Sequence, residues 1–294
     1  MSGNAKFFVL SALLLVPITS FSCGAYAQAQ PLPAVTPSKA ESFTRTSVPQ
    51  PQEVTFKSGD LTLYGYVWKP EGKGPFPAVL WNHGSEKYPG PEPDLGRFYV
   101  QNHYAFFVPH RRGHGLSQGQ HIMEALEGLS GPERGKRMLE LQDAELADVI
   151  NALAFLKSQP FVDANRIAIS GCSFGGIQTL LAGEKDLGVK ALIPFAPAAM
   201  TWERNRLMAP RMKQAVDNAR VPVFELQAEN DFSLGPTHEL TAEAEAHHKD
   251  FQSKIYPAFG SSNMDAHAGF CMTATQVWGK DVLEFLDKTM NGKK

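Results

Sequence analysis

The sequence has little that is typical of nucleic-acid-binding or membrane-spanning proteins. Its 28 lysine and arginine residues nearly balance 30 aspartate and glutamate residues, and no basic block suggests a nucleic-acid partner. The apolar run at 7–16, interrupted only by Ser11, is too short to span a bilayer as a stable helix. No internal repeat is visible. A chain of 294 residues is long enough for one large domain with a substantial core.

Cysteine is also scarce, and three residues exclude a dense disulfide framework. Cys172 and Cys271 are the two that follow the N-terminal segment described next. If the protein is exported, oxidising conditions would permit a bridge between them, provided that the fold brings their segments together. The alternative is that both are small buried apolar residues.

The N-terminal segment has the pattern of a signal peptide. Lys6 gives a weakly basic start, the apolar run follows, and Ala25-Tyr26-Ala27 matches the A-x-A cleavage pattern. We therefore predict a signal peptide over residues 1–27, an exported protein that is periplasmic or secreted, and no stable membrane insertion after cleavage. Lipidation at Cys23 is the alternative, which Ser20-Phe21-Ser22 fits less well.

The rest of the chain divides into a short leader and one domain. Residues 28–52 are rich in Pro, Gln, Ala, Ser and Thr without apolar periodicity, which predicts a flexible leader. From Glu53 onwards the pattern indicates a hairpin of antiparallel strands at 54–57 and 61–68, within a domain over 53–290. Further strands are predicted at 78–81, 104–108, 166–170, 191–195, 221–227 and 253–256. A long helix is predicted with a capping box of Ser130 and Glu133 at its start and apolar spacing over 139–153, and further helices around 174–184, 236–248 and 275–289.

This alternation of strands and helices predicts the fold class. It indicates an α/β protein with a mostly parallel, doubly wound sheet that is covered by helices on both faces, and with an antiparallel hairpin at its start. In such sheets the chemistry gathers at the carboxyl ends of the strands.

The most informative motif is Gly171-Cys172-Ser173-Phe174-Gly175, between a predicted strand and a predicted helix. This G-x-S-x-G pattern holds one serine hydroxyl out at the carboxyl edge of the sheet. Gly171 and Gly175 support that turn, because a side chain at either position would collide with a neighbouring strand or helix. Ser173 is the predicted nucleophile, and Cys172 is out of register for that role. The alternative is a glycine-rich connection without chemistry.

A serine nucleophile needs a base, and the base needs an acid that orients it. Asp231 follows the strand at 221–227 by a short turn, and His267 lies in a predicted loop between the last strand and the last helix. We predict Asp231 as the acid and His267 as the base. Glu229 and Asp265 are competing acids, and a role as a helix N-cap is the alternative for Asp231.

Two backbone N–H groups are predicted to stabilise an oxyanion. One belongs to Phe174, the residue after the nucleophile. The other is expected from Ser85, in the loop after the strand at 78–81, with His83 and Gly84 as supporting residues because glycine lets the backbone approach a substrate.

Two further segments suggest the surroundings of the site. Residues 196–220 lie between two predicted strands and could form a small cap, in which Met200 and Trp202 either line an apolar acyl pocket or pack onto the core. His110 and His114 are four residues apart, but they lie in a glycine-containing loop without a carboxylate or cysteine to complete a ligand set. No metal site is expected there, and Arg112 is expected to brace the loop.

With these motifs the chain resembles the α/β-hydrolase superfamily over residues 53 to about 290. Within it, the chain is similar to the dienelactone-hydrolase-like and prolyl-oligopeptidase-like branch. The resemblance rests on His83-Gly84, on the run from Arg112 to Ser117, on the turn at Ser173, and on Asp231 with His267. It implies an α/β-hydrolase fold and a serine hydrolase that cleaves carboxylic esters through an acyl-enzyme, without a cofactor.

Two departures from that branch affect the expected substrate. Dienelactone hydrolases carry a cysteine nucleophile where this chain has Ser173, so the dienelactone itself is not expected. Prolyl-oligopeptidase relatives carry a large N-terminal propeller, for which this chain has no room. We therefore expect a small-molecule ester as substrate. A serine peptidase or acyltransferase on the same triad, or a catalytically silent binding protein, are the alternatives, and the oligomeric state is left open.

Overall fold

The computed structural model describes residues 49–292, so the predicted signal peptide and nearly all of the predicted leader lie outside the described residues. Eight strands form one sheet in the order β1-β2-β4-β3-β5-β6-β7-β8. The strands are β1 (Gln52–Ser58), β2 (Leu61–Trp68), β3 (Phe76–Asn82), β4 (Ala105–Pro109), β5 (Val162–Cys172), β6 (Ala191–Phe195), β7 (Val223–Ala228) and β8 (Phe251–Tyr256).

The sheet is antiparallel at one end and parallel over the rest. β1 pairs with β2, and β2 with β4, in antiparallel registers, whereas β4, β3, β5, β6, β7 and β8 run parallel. All five residues of β4 and of β6 are buried, as expected of strands covered on both faces. The predicted fold class is confirmed, and the carboxyl ends of β3, β5, β6 and β7 meet at one edge.

Eight α-helices are present within the described residues. They are α1 (Pro93–Gln101), α2 (Ile122–Ala125), α3 (Gly131–Lys157), α4 (Phe174–Gly183), α5 (Met208–Asp217), α6 (Gly235–Ala246), α7 (Phe270–Thr273) and α8 (Thr275–Asn291). Four of them, α3, α4, α6 and α8, lie close to the predicted ones. A π-helical turn, Asp265–Gly269, precedes α7, so the prediction of a loop around His267 was wrong.

Two hydrophobic clusters lie on opposite faces of the sheet, and alternate residues of β3 separate them. Ala78 and Leu80 face the cluster that includes α3, α4 and α5, whereas Val79 and Trp81 face the cluster with α1 and α8. The period of two along a strand produces this division. Within residues 49–292, no helix combines the length and the apolar character needed to cross a bilayer.

Candidate active site

Ser173 lies in the tight turn between β5 and α4. Its φ is 57° and its ψ is −115°, a positive-φ backbone that few residues other than glycine adopt. The turn is closely packed: a Cβ at Gly171 would lie 2.5 Å from the carbonyl oxygen of Gly175, and a Cβ at Gly175 would overlap the carbonyl oxygen of Asn82. The backbone N–H of Ser173 donates to Phe195 O at 2.9 Å. The turn is thus held by β3 and β6 as well as by its own residues.

His267 and Asp231 form a buried pair at the same sheet edge. His267 Nδ1 lies 2.9 Å from Asp231 Oδ1 and 3.1 Å from Oδ2. Asp231 also accepts from Gln227 Nε2 at 3.0 Å and from the backbone N–H of Phe232 at 2.6 Å. With a proton on Nδ1 directed at the carboxylate, Nε2 keeps its lone pair, which is the tautomer a general base requires.

The competing acid Asp265 does not take part in this pair. Its Oδ2 accepts from the backbone N–H groups of Ser261 and Ser262 at 2.9 and 3.0 Å. Asp265 therefore stabilises the turn that leads to His267, and Asp231 is the carboxylate bonded to the imidazole.

Ser173 and His267 line the same cavity, of about 490 Å³. His267 is only 3% exposed. Its Nε2 has no hydrogen-bond partner within the described residues and is therefore not bonded to Ser173 Oγ. Contacts between nucleophile and base are often long before substrate binds and tighten in the complex.

A disulfide joins the two halves of this arrangement. Cys172 is bonded to Cys271, with their Cα atoms 6.0 Å apart. Cys172 directly precedes Ser173, and Cys271 Sγ lies 2.9 Å from the carbonyl oxygen of His267. The bridge considered from the sequence is thus present, and it links the turn of Ser173 to the helical segment of His267.

The residues predicted for the oxyanion also meet at Ser173. Phe174 is the first residue of α4, so its N–H has no acceptor within the helix. Ser85, in the loop after β3, lines both cavities that contain Ser173. Gly84 precedes it, and the buried His83 directs Nδ1 at the carbonyl oxygen of Gly84, at 2.9 Å.

Sequence analysis missed Arg111, which is 1% exposed and lies behind the oxyanion loop. Its Nη1 donates to His83 O at 2.9 Å and its Nη2 to Gly84 O at 2.6 Å. Its Nε donates to Glu145 Oε2 at 2.9 Å, and its guanidinium carbon lies 4.9 Å from the ring centre of Phe174. Arg111 thus contacts the backbone before Ser85 and the ring of Phe174, one on each side of the expected oxyanion position.

The neighbouring Arg112 bonds to α3 and so braces its own loop, as the sequence predicted. Its Nε and Nη2 donate to Asp148 at 2.8 and 2.7 Å, and its backbone N–H also donates to that carboxylate, at 2.9 Å. Glu145 could have indicated a buried cation, because it is an acidic residue on the buried side of α3 and a fully buried carboxylate generally needs a partner. The sequence alone does not say which cation it is.

Four buried histidines pack beside the oxyanion loop. The ring of His114 lies 4.5 Å, centre to centre, from that of His83 and 4.5 Å from that of His121. Burial lowers the pKa of His83 well below its usual value, that of His110 to about 4 and that of His114 to about 2. These rings are neutral near pH 7, and they support the loop by packing.

A second cavity, of about 390 Å³, also opens at Ser173. Its lining is largely apolar and comes from α2, α3, α4 and the segment after β6, including Met123, Met138, Ile177, Ala198 and Met200. Trp202 lines neither cavity. It packs in the core, and its Nε1 donates to Glu239 Oε1 at 2.8 Å, so of the two alternatives for Trp202 core packing is the one that applies.

Together, the sheet and the turn at Ser173 define the class of protein as an α/β hydrolase. The model of the dienelactone hydrolase family matches residues 99–289. The chain therefore belongs to the dienelactone hydrolase family.

Relatives and solved structures agree with this class. The chain is 27% identical over 167 residues to the quorum-quenching protein AidA of Acinetobacter baumannii, covering 56% of this chain and 50% of that protein. It is 28% identical over 163 residues to mouse dipeptidyl peptidase 8, covering 52% of this chain and 16% of that protein. The chain thus matches half or less of either relative's length.

Among solved structures, acylaminoacyl peptidase of Pyrococcus horikoshii is similar with a TM-score of 0.64 and 20% identity. The similarity covers 86% of this chain and 43% of that one. At this level of identity the likeness concerns the fold.

Proposed function

We propose that this protein is a serine hydrolase that cleaves carboxylic esters, with Ser173 as nucleophile, His267 as general base and acid, and Asp231 as the orienting carboxylate. The observation that carries the proposal is His267: Nδ1 is bonded to the buried Asp231, and the unpartnered Nε2 belongs to the cavity that Ser173 lines.

The reaction proceeds in two acyl transfers. His267 Nε2 accepts the proton of Ser173 Oγ as that oxygen bonds to the ester carbonyl carbon. The oxyanion accepts from the N–H groups of Phe174 and Ser85, each contributing ~3 kcal/mol to transition-state stabilisation. The bond to the leaving oxygen then breaks, and that oxygen takes the proton from His267. Water repeats the sequence on the acyl-enzyme and releases the acid.

Ester cleavage is favoured over peptide cleavage by the extent of the similarities. The dienelactone hydrolase family model spans residues 99–289, whereas the similarity to dipeptidyl peptidase 8 covers 52% of this chain and 16% of that protein. The names of the similar proteins keep a peptidase as the second candidate.

Export remains part of the proposal. It is supported by the A-x-A pattern that ends the segment 1–27 and by the Cys172–Cys271 bridge, since structural disulfides persist in oxidising compartments.

The test is labelling with a fluorophosphonate, which reacts with activated serines. Wild type and Ser158→Ala, a change at an exposed serine far from the site, should label, and Ser173→Ala should not. His267→Ala should lower kcat on short-chain p-nitrophenyl esters by ~10³-fold or more. Folded wild type that fails to label would favour a binding protein, and Ser173-dependent cleavage of dipeptide amides would favour the peptidase.

A further inference from the structure

The two cavities at Ser173 differ in charge as well as in shape. Ser85, Ser173 and Met200 line both of them. We call the cavity of about 390 Å³ the acyl lobe and the cavity of about 490 Å³, which His267 lines, the leaving-group lobe. The assignment rests on the proposed function: His267 must protonate the departing oxygen, so the departing group has to lie on the side of His267.

Charged side chains are divided between these lobes by sign. The acyl lobe is lined by Arg134 and Arg204 and by no carboxylate. The leaving-group lobe is lined by Glu86 and Glu92 and by no lysine or arginine. A substrate that spans both lobes therefore meets positive charge around its acyl part and negative charge around its alcohol part.

The two glutamates lack a cationic partner of their own within residues 49–292. The group nearest to Glu86 is Nδ1 of His83, at 3.9 Å, and the lowered pKa of that histidine keeps it neutral. The cations closest in sequence are already engaged, Lys87 with Glu124 and Arg111 with Glu145. Arg111 favours the ionised form of Glu86 from a distance, but a bound cation would supply the direct ion pair that neither glutamate makes with a lysine or arginine within residues 49–292.

Glu92 also lacks a compensating positive charge. Its pKa is raised to about 7, mainly because it is removed from water and to a smaller extent because of the negative charge of Glu86. Two carboxylates that disfavour each other's ionisation are stabilised as ions by a positive charge placed between them.

The other walls of the lobe suit an ammonium group that carries methyl groups. Tyr88 lines the lobe and is 75% exposed, and its ring attracts cations: Lys87 Nζ lies 6.0 Å from the ring centre. Met264 and Met272 provide apolar, polarisable contacts. The unpartnered Nε2 of His267 belongs to the same lobe, so a group bound there is in reach of the reaction.

We propose that the leaving-group lobe selects esters whose alcohol part carries a positively charged amine or quaternary ammonium group, held by Glu86 and Glu92 against the ring of Tyr88. The acyl part then lies in the acyl lobe.

The test compares two esters that differ in one atom. Choline butyrate and 3,3-dimethylbutyl butyrate have nearly the same shape, but the second has carbon in place of the charged nitrogen. Wild type should show a kcat/KM about tenfold higher for the choline ester, as expected of a favourable contact with two carboxylates that are only partly exposed. The double variant Glu86→Gln/Glu92→Gln should bring the ratio close to one. Glu71→Gln, the same change on an exposed loop, should keep the wild-type ratio.

Each outcome has one meaning. A wild-type ratio at or below one, or a ratio that the double variant leaves unchanged, overturns the inference while ester cleavage stands. If neither ester is cleaved and Ser173 does not label, the proposed function fails first. If the double variant does not fold, two other measurements test the inference: the ratio of kcat/KM values for Glu92→Gln alone, and the wild-type ratio at rising salt concentration. Salt screens charges, so it lowers the ratio only if the enzyme recognises the positive charge of the choline ester.

Discussion

Ser173 illustrates how single residues are held at this site. A non-glycine residue at such a positive φ costs of order 1–3 kcal/mol and persists only where its surroundings determine it. Here the N–H bond to Phe195 and the close packing of Gly171 and Gly175 provide that constraint. The strained turn is therefore a property of the neighbouring strands as much as of the serine.

Arg111 plays the corresponding role for the oxyanion loop, and we expect Arg111→Lys to lower kcat by roughly 10- to 100-fold with a smaller change in KM. A lysine ammonium is a single point of charge and cannot hold Glu145 and the carbonyls of His83 and Gly84 at once. The loop would lose its position relative to Phe174, which affects the transition state more than substrate binding. Steady-state kinetics on p-nitrophenyl esters, with the melting temperature measured in parallel, gives the result.

Arg112→Lys is the matched control, because Arg112 bonds to Asp148 and does not touch the oxyanion loop. An equal fall in kcat for both variants, or a fall in step with the loss of melting temperature, would make Arg111 a structural residue only.

At the scale of elements, the site is assembled from connections that follow different strands. Ser173 follows β5, Asp231 follows β7, and His267 follows β8 by way of the π-helical turn. The parallel sheet brings the ends of β5 and β7 to one edge. The segment after β8 is longer, and it is fixed there by the Asp231–His267 pair and by the disulfide to Cys172.

Removing this disulfide should destabilise the whole domain. The bridge closes a separation of 99 residues, for which loop-closure entropy gives a stabilisation of roughly 2–5 kcal/mol. We expect the double variant Cys172→Ala/Cys271→Ala to unfold at lower urea concentration than wild type. A reducing agent should shift wild type toward the variant and leave the variant unchanged. A wild-type unfolding midpoint that is insensitive to reduction would contradict the expectation.

For the whole molecule, the sequence was sufficient wherever a pattern is local. The G-x-S-x-G turn, the alternation of strands and helices, and the antiparallel hairpin were read within a few residues of their observed bounds. What the sequence did not provide depends on partners distant along the chain. Glu145 meets Arg111 and not Arg112 because of how α3 crosses the loop, and Trp202 turns to Glu239 on α6. Patterns of spacing carry no information about such contacts.

Glu225 on β7 should make the stability of the fold depend on pH. This side chain is fully buried, and its Oε1 accepts from Thr237 at 2.9 Å, whereas its Oε2 has no partner within the described residues. Loss of water raises its pKa to about 8, so the folded state holds a proton that the unfolded state releases near pH 4.5. Its protonation therefore contributes stability that is complete below pH 4.5 and is lost as the pH rises to about 8.

Glu225→Gln removes this dependence, because the amide stays neutral at every pH. The free energy of unfolding of the variant relative to wild type should rise by up to roughly 1.4 kcal/mol per pH unit between about pH 5 and 8, and level off above that. Urea unfolding at pH 5, 6.5, 8 and 9 measures the difference, with Glu71→Gln as the exposed control. A difference that does not change with pH would mean that Glu225 is ionised in the folded protein and that groups other than a proton stabilise its negative charge.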